Sequence, residues 1–200
     1  MAHEPSLRAV EPTLAFPPEL RLAARGPGDG IRAAFFDVDG VLTDGRIHVG
    51  ADGEVLKAFS TLDGHGLKLL ARAGIEPVVV SGRDSPALRR RLADLGITHA
   101  VCGVGDKLAA AEALLARLGI GWDAVAAMGD DWPDLPILAR AAFACAPPGA
   151  HAEVKAIVDH VTAASGGHGA ARECCDVLLM AAGRYAGLLR ADLPTLDRAS

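Results

Sequence analysis

The sequence predicts a doubly wound α/β fold: a parallel sheet, Rossmann-like, with helices on both faces and a β-hairpin inserted after the first strand. Three observations carry that expectation. Short apolar runs at 33–36, 76–80, 98–102, 123–128, 142–146 and 160–162 recur along the chain. Helical patterns and turn residues separate them, the alternation that builds a parallel sheet covered on both faces. The downstream ends of the runs carry clusters of Asp, Ser, Gly and Lys.

Residues 1–30 hold two proline-bearing stretches and end in Gly26-Pro27-Gly28-Asp29-Gly30, which reads as a loose leader with a helical turn or two near 19–24. The first strand is 33–36. Next comes the hairpin, within an insertion at about 45–60: residues 47–49, an Asp52-Gly53 turn, then 55–59. A two-stranded ribbon is seldom stable alone, so this one is expected to serve as an oligomer contact. Residues 76–80 form a buried strand running into Ser81-Gly82-Arg83. Ser85 caps a helix, Pro86 takes its first position and Gly96 closes it. A short strand at 98–102 and a helix at 107–118 follow, then a strand at 123–128 leading into Gly129-Asp130-Asp131. Two more strands, at 142–146 and 160–162, precede a glycine-rich stretch and a last helix. One domain at 31–190 accounts for all of this, with a tail at 191–200.

Half of the 200 residues are hydrophobic but only 4% are aromatic, so the core must be built from Ala, Val, Leu and Ile. A net charge of -5 argues against a nucleic-acid partner. Arg83, Arg89, Arg90 and Arg91 form only a local basic cluster, the last three on a solvated helix face. No apolar run is long enough to span a membrane, and the first thirty residues lack a signal-type apolar block. Four cysteines, two of them adjacent, show no metal spacing and read as free thiols in a reducing cytoplasm.

The chemistry starts at Asp37-Val38-Asp39-Gly40. Alternate residues of a strand share a face, so both carboxylates leave the first strand side by side. Crowded acids repel unless a cation or a shared proton intervenes. Open α/β sheets gather their strand ends at one edge, which brings Asp37 and Asp39 toward Ser81 and Gly82, Asp106 and Lys107, and Asp130, Asp131 and Asp134. Carboxylates are hard ligands suited to Mg²⁺, whereas a hydroxyl, a glycine N–H and an ammonium suit phosphate oxygens. One acid is left as nucleophile and another as proton donor.

These clusters resemble the four motifs of the haloacid dehalogenase superfamily of phosphoryl-transfer enzymes, over about residues 31–190. The closer likeness is to its small, capless sugar-acid phosphatases. It rests on Asp37-Val38-Asp39-Gly40-Val41-Leu42-Thr43-Asp44-Gly45, Leu62-Asp63-Gly64-His65-Gly66-Leu67-Lys68, Gly129-Asp130-Asp131, and Gly166-Gly167-His168-Gly169-Ala170-Ala171-Arg172-Glu173. The resemblance implies that Asp37 is the nucleophile and Asp39 the general acid and base. It implies Mg²⁺ held by the Asp37 carboxylate, the Asp39 backbone carbonyl and Asp130. Ser81 and the Gly82 N–H would bind the phosphoryl group and Lys107 neutralise it, while Asp131 and Asp134 orient metal-bound water or Lys107.

The implied substrate is 3-deoxy-D-manno-octulosonate 8-phosphate, on the route to lipopolysaccharide, with Arg83 forked onto its carboxylate. Asp63, Gly64 and His65 would line the mouth; His65 stands where many relatives have a tyrosine. Such relatives are tetramers whose hairpins pair across subunits, and the segment 166–169 with Arg172 would reach a neighbouring active site. A nine-carbon sialic-type acid 9-phosphate, or another sugar phosphate, stands as the alternative substrate. A phospho-receiver domain also gathers aspartates and a lysine, but it places its acceptor alone after a middle strand, and here an Asp pair follows the first.

Overall fold

The computed structural model describes residues 10–193. It begins with a short helix, α1 (Pro18–Ala23), and then β1 (Ala33–Phe36), all four of whose residues are buried. The hairpin follows as β2 (His48–Gly50) and β3 (Gly53–Leu56), then α2 (Thr61–Arg72). Next in the chain are β4 (Glu76–Ser81), α3 (Pro86–Leu95), β5 (His99–Cys102), α4 (Lys107–Leu118) and β6 (Val125–Met128). The rest is α5 (Leu135–Leu138), β7 (Phe143–Ala146), α6 (Ala152–Lys155), β8 (His160–Val161), α7 (Ala170–Ala181) and α8 (Tyr185–Ala191). Among the described residues, no helix is long and apolar enough to cross a membrane.

Local chemistry fixes several of these boundaries. The Ser85 hydroxyl accepts the Leu88 N–H, and Gly96 ends α3 in the left-handed region at φ 72°. Asp106 accepts the Ala109 N–H at the start of α4, which Gly119 closes at φ 63°.

Six strands form one parallel sheet in the order β5-β4-β1-β6-β7-β8. The chain builds outward from β1 through β4 to β5, then returns to the other side of β1 for β6, β7 and β8. The carboxyl ends of β1, β4 and β6 therefore meet where the winding direction reverses, the place such sheets bind ligands. Strand side chains alternate between two cores. Ala34, Phe36, Val79 and Met128 pack with α2, α3 and α7, while Ala33, Phe35, Val78 and Ala127 pack with α4, α5 and α6.

Several expectations need correction. The leader is not loose where it is described: Ala24 is buried, and Phe16 and Leu20 pack against the core that α7 shares. The second hairpin strand ends at Leu56 rather than running to 59. The strand expected from 123 begins at Val125, because residues 122–124 form a 3-10 turn. Arg91 is half-buried rather than solvated, its guanidinium lying 5.8 Å from the Phe59 ring centroid and donating to the Ser60 carbonyl. Part of the expected tail, residues 194–200, lies outside the described residues.

Candidate active site

Asp37 is the first residue beyond β1, and its N–H donates to the Met128 carbonyl at 3.0 Å, so the ends of β1 and β6 are pinned together. It continues the parity of Ala33 and Phe35 and points toward the α4 side. Lys107, the first residue of α4, meets it there: Nζ lies 2.6 Å from Asp37 Oδ1 and 2.7 Å from Asp134 Oδ1. Asp134 closes the 3-10 turn after β6, and its other oxygen accepts the N–H groups of Asp130 and Asp131 at 3.1 and 3.3 Å. The Asp131 carboxylate in turn accepts the Trp132 N–H at 2.8 Å. One carboxylate thus fixes both the lysine and the loop that carries Asp130.

Glycine at position 40 has a steric reason. Its φ of 102° lies in the left-handed region, and a Cβ there would fall on the Asp130 carboxylate. Behind it, a Cβ at Gly166 would fall on the Gly40 carbonyl, and the Gly167 N–H donates to the Val41 carbonyl at 2.9 Å. The segment expected to reach a neighbouring subunit packs at Gly166 and Gly167 against the loop after β1 of its own chain.

Carboxylate oxygens of Asp37, Asp130 and Asp134 lie within 4.8 Å of one another. A single buried ammonium, Lys107, faces them. Burial, with Asp134 beside it, pushes Asp37 up to about 6 against the pull of Lys107. Burial together with Asp37 and Asp134 pushes Asp130 up to about 8. Burial alone would depress Lys107, but the two aspartates outweigh it and raise its pKa. A hard divalent cation fits this donor set and its excess of negative charge. Asp134 is committed to Lys107 and to the backbone, which leaves Asp37 and Asp130 as the carboxylates able to hold an ion.

These groups open into a cleft of about 420 Å³ that is also lined by Asp39, Ser81, Gly82 and Arg83. Ser81 is buried, and its oxygen accepts the Arg83 N–H at 3.2 Å, so its own proton stays free for a ligand. Arg83 stands half-exposed at the rim, 3.3 Å from Glu54 and 3.8 Å from Asp39. Asp39 is paired with Lys57, whose side chain is only 2% exposed. Sequence reasoning missed Lys57 and Glu54, because a charged pair on a hairpin reads as solvated. A larger cavity of about 680 Å³ near the opposite ends of β1 and β4 holds none of these acids.

Four expected site residues lie elsewhere. Asp63 is buried within α2, and its carboxylate accepts the N–H groups of Gly169 and Arg172 at 3.2 and 2.8 Å. It caps α7, which begins at a glycine with no side chain to do so. Gly64 lies against Arg91 and Leu95, where a Cβ would collide. His65 is exposed on α2. The Arg172 guanidinium is bonded to Asp176, one turn along its own helix, at 2.8 Å. None of the four lines the cleft around Asp37.

Residues 103–173 match the haloacid dehalogenase-like hydrolase family. The chain is 45% identical to the 3-deoxy-D-manno-octulosonate 8-phosphate phosphatase of Haemophilus influenzae over 156 residues, 78% of this chain and 87% of that one. A solved structure of the phosphatase of that name from Moraxella catarrhalis, in complex with magnesium ion, phosphate ion and KDO, superimposes with a TM-score of 0.82. It is 35% identical and covers 88% of this chain and 98% of its own. The cobalt-bound form of the Haemophilus influenzae phosphatase superimposes with a TM-score of 0.76 at 43% identity, covering 82% of this chain and 93% of its own.

Two outcomes follow from this geometry. Asp63→Ala leaves two helix N–H groups without an acceptor, so urea denaturation should show a loss of about 1–3 kcal/mol while turnover per folded molecule stays within about twofold. For Asp130, the folded value of about 8 exceeds the ordinary 3.8, so the metal-free folded state binds more protons between those limits and loses stability as pH rises through them. Melting in chelator should therefore fall across that window, and a divalent cation should remove most of the fall.

Proposed function

The chain belongs to the haloacid dehalogenase-like hydrolases, among the 3-deoxy-D-manno-octulosonate 8-phosphate phosphatases, and from that premise we propose that it hydrolyses the phosphate monoester of 3-deoxy-D-manno-octulosonate 8-phosphate in lipopolysaccharide precursor synthesis. It is a phosphoric monoester hydrolase. The observation that carries the residue roles is the buried Asp37–Lys107–Asp134 chain opening onto Ser81 in one cleft.

Asp37 attacks phosphorus through the oxygen that Lys107 leaves free, which breaks the bond to the sugar oxygen and forms an aspartyl phosphate. Asp39 gives its proton to the departing sugar oxygen. It then takes a proton from the water that attacks the aspartyl phosphate, so inorganic phosphate leaves and Asp37 is restored. The Ser81 hydroxyl, the Gly82 N–H and Lys107 hold the phosphoryl oxygens through these steps. The carboxylates of Asp37 and Asp130 and the backbone carbonyl of Asp39 would hold Mg²⁺, which would supply charge neutralisation between an anionic nucleophile and an anionic ester. Arg83, at the rim, pairs with the carboxylate of the sugar acid in a bidentate fork. The four free thiols suit a reducing compartment and support a cytoplasmic location.

The working form is a homotetramer joined through the hairpins. Ile47, Val49, Val55 and Leu56 are exposed on the ribbon and Leu62 just beyond it, with Val49 71% and Val55 67% exposed. An apolar patch of that kind on a two-stranded ribbon calls for a partner.

Asp37→Asn should fold normally by circular dichroism and release no phosphate, since an amide is a poor nucleophile and a weaker ligand; retained turnover would refute the assignment. Assayed side by side, the eight-carbon ester should be preferred over the nine-carbon acid 9-phosphate, and equal kcat/KM would remove the assigned specificity. Val49→Lys combined with Val55→Lys should yield monomers in sedimentation analysis, whereas an unchanged tetramer would rule out the hairpin contact.

A further inference from the structure

The hairpin reaches the acid–base end of the cleft through one buried cation. Lys57 lies just beyond β3, and its ammonium pairs with Asp39 Oδ1 on one side and with Glu54 Oε2, at 3.6 Å, on the other. Arg83 brackets the same two acids from the rim. A buried ion pair is a poor source of stability, because desolvating both charges offsets most of their attraction. Its placement on the group that must exchange a proton with substrate points to a different use. With Oδ1 committed to Lys57 and Oδ2 no closer than 3.8 Å to the Arg83 Nε, the carboxylate of Asp39 is held in one orientation, and Oδ2 is the more loosely held oxygen, the one to exchange the proton.

We propose that Lys57 is a positioning residue for the phosphatase reaction, fixing Asp39 so that its free oxygen meets the departing oxygen of the substrate. The inference rests on the reading of Asp39 as the acid and base given above. Lys57 pairs with Asp39 and Glu54 and with neither Asp37 nor Asp130, so it acts through Asp39 and through the hairpin that carries it. An ordered acid spares the reaction the entropy of finding a reactive geometry, which is where its rate contribution arises.

The test compares esters that differ in their need for a proton. The magnesium-loaded wild type, Lys57→Met and Lys57→Arg are assayed with 3-deoxy-D-manno-octulosonate 8-phosphate, whose sugar oxygen must be protonated to leave as an alcohol, and with p-nitrophenyl phosphate, whose phenolate departs unaided. Lys57→Met should lose about 100-fold in kcat/KM on the sugar ester and less than about threefold on the nitrophenyl ester. Lys57→Arg keeps the charge and should recover part of the sugar-ester loss. Equal losses on both esters, or full sugar-ester activity in Lys57→Met, would overturn the proposal. Should Lys57→Met fail to fold, Lys57→Arg carries the test, since a displaced donor must still penalise the sugar ester more than the nitrophenyl one. If the wild type cleaves the nitrophenyl ester and not the sugar ester, the substrate reading fails instead. An unactivated alkyl phosphate that the wild type does cleave then takes its place in the same comparison.

Discussion

The rest of the structure depends on a charge imbalance at one point of the sheet: three carboxylates converge there on a single ammonium. Lys107 sits in the first turn of α4, where the helix dipole disfavours a cation. Asp37 and Asp134 overcome that disfavour by gripping Nζ from two sides, and Asp106 accepts the Ala109 N–H as the cap. The balance still leaves more negative than positive charge, and Asp130 bears the excess. A fold selected for stability alone would not assemble this. A fold that must hold a divalent ion and then a phosphate dianion needs an acid cluster for the first and a fixed cation for the second.

The glycines follow from the same constraint. Bringing Asp130 against the loop after β1 requires that nothing project from position 40, and bringing Asp134 under Gly129 requires the same there. The loop 40–44 would otherwise depend on its own turn for rigidity, with Thr43 bonding to Val38 and Gly45. Gly166 and Gly167 close on it from behind, and Asp63 holds the helix that follows them. The glycine-rich segment, which reads as a substrate contact in the sequence, packs against the loop after β1, and the Asp63 region, read the same way, holds the start of α7.

What was legible in the sequence was what local chemistry encodes. Ser85 with Gly96 marks one helix to the residue, and the apolar runs place all six sheet strands. Topology then forces Asp37, Ser81, Lys107 and Asp130 to one edge, so the core of the site could be read before any coordinates. The helix α2 was harder. Gly64 and Gly66 each cost it about 1 kcal/mol of helix propensity, and they are present because Arg91 on one side and α7 on the other come too close for a side chain. Asp63, Arg172 and Lys57 were misread or missed for a common reason. Their partners are a helix terminus 106 residues away, a neighbour one turn on and an acid 18 residues back, and residue type does not choose among such partners.

The hairpin is where these two levels meet. On β3 Val55 and Leu56 are exposed to solvent while Glu54 turns to Lys57 and Arg83, so one short ribbon carries both uncovered apolar side chains and a charged contact to the cleft. Nine residues of ribbon with no further sheet strand to pair with have little rigidity of their own. Covering the apolar side chains with a neighbouring ribbon would fix the strand, and a fixed strand fixes Glu54 and Lys57. Asp39 would then be ordered by a contact made elsewhere on the hairpin. Among the described residues no second domain closes over the cleft, and assembly through the hairpin would supply the order that a lid supplies elsewhere. On this argument a subunit without that contact would keep Asp37 and Asp130 in place and lose chiefly the order of Asp39.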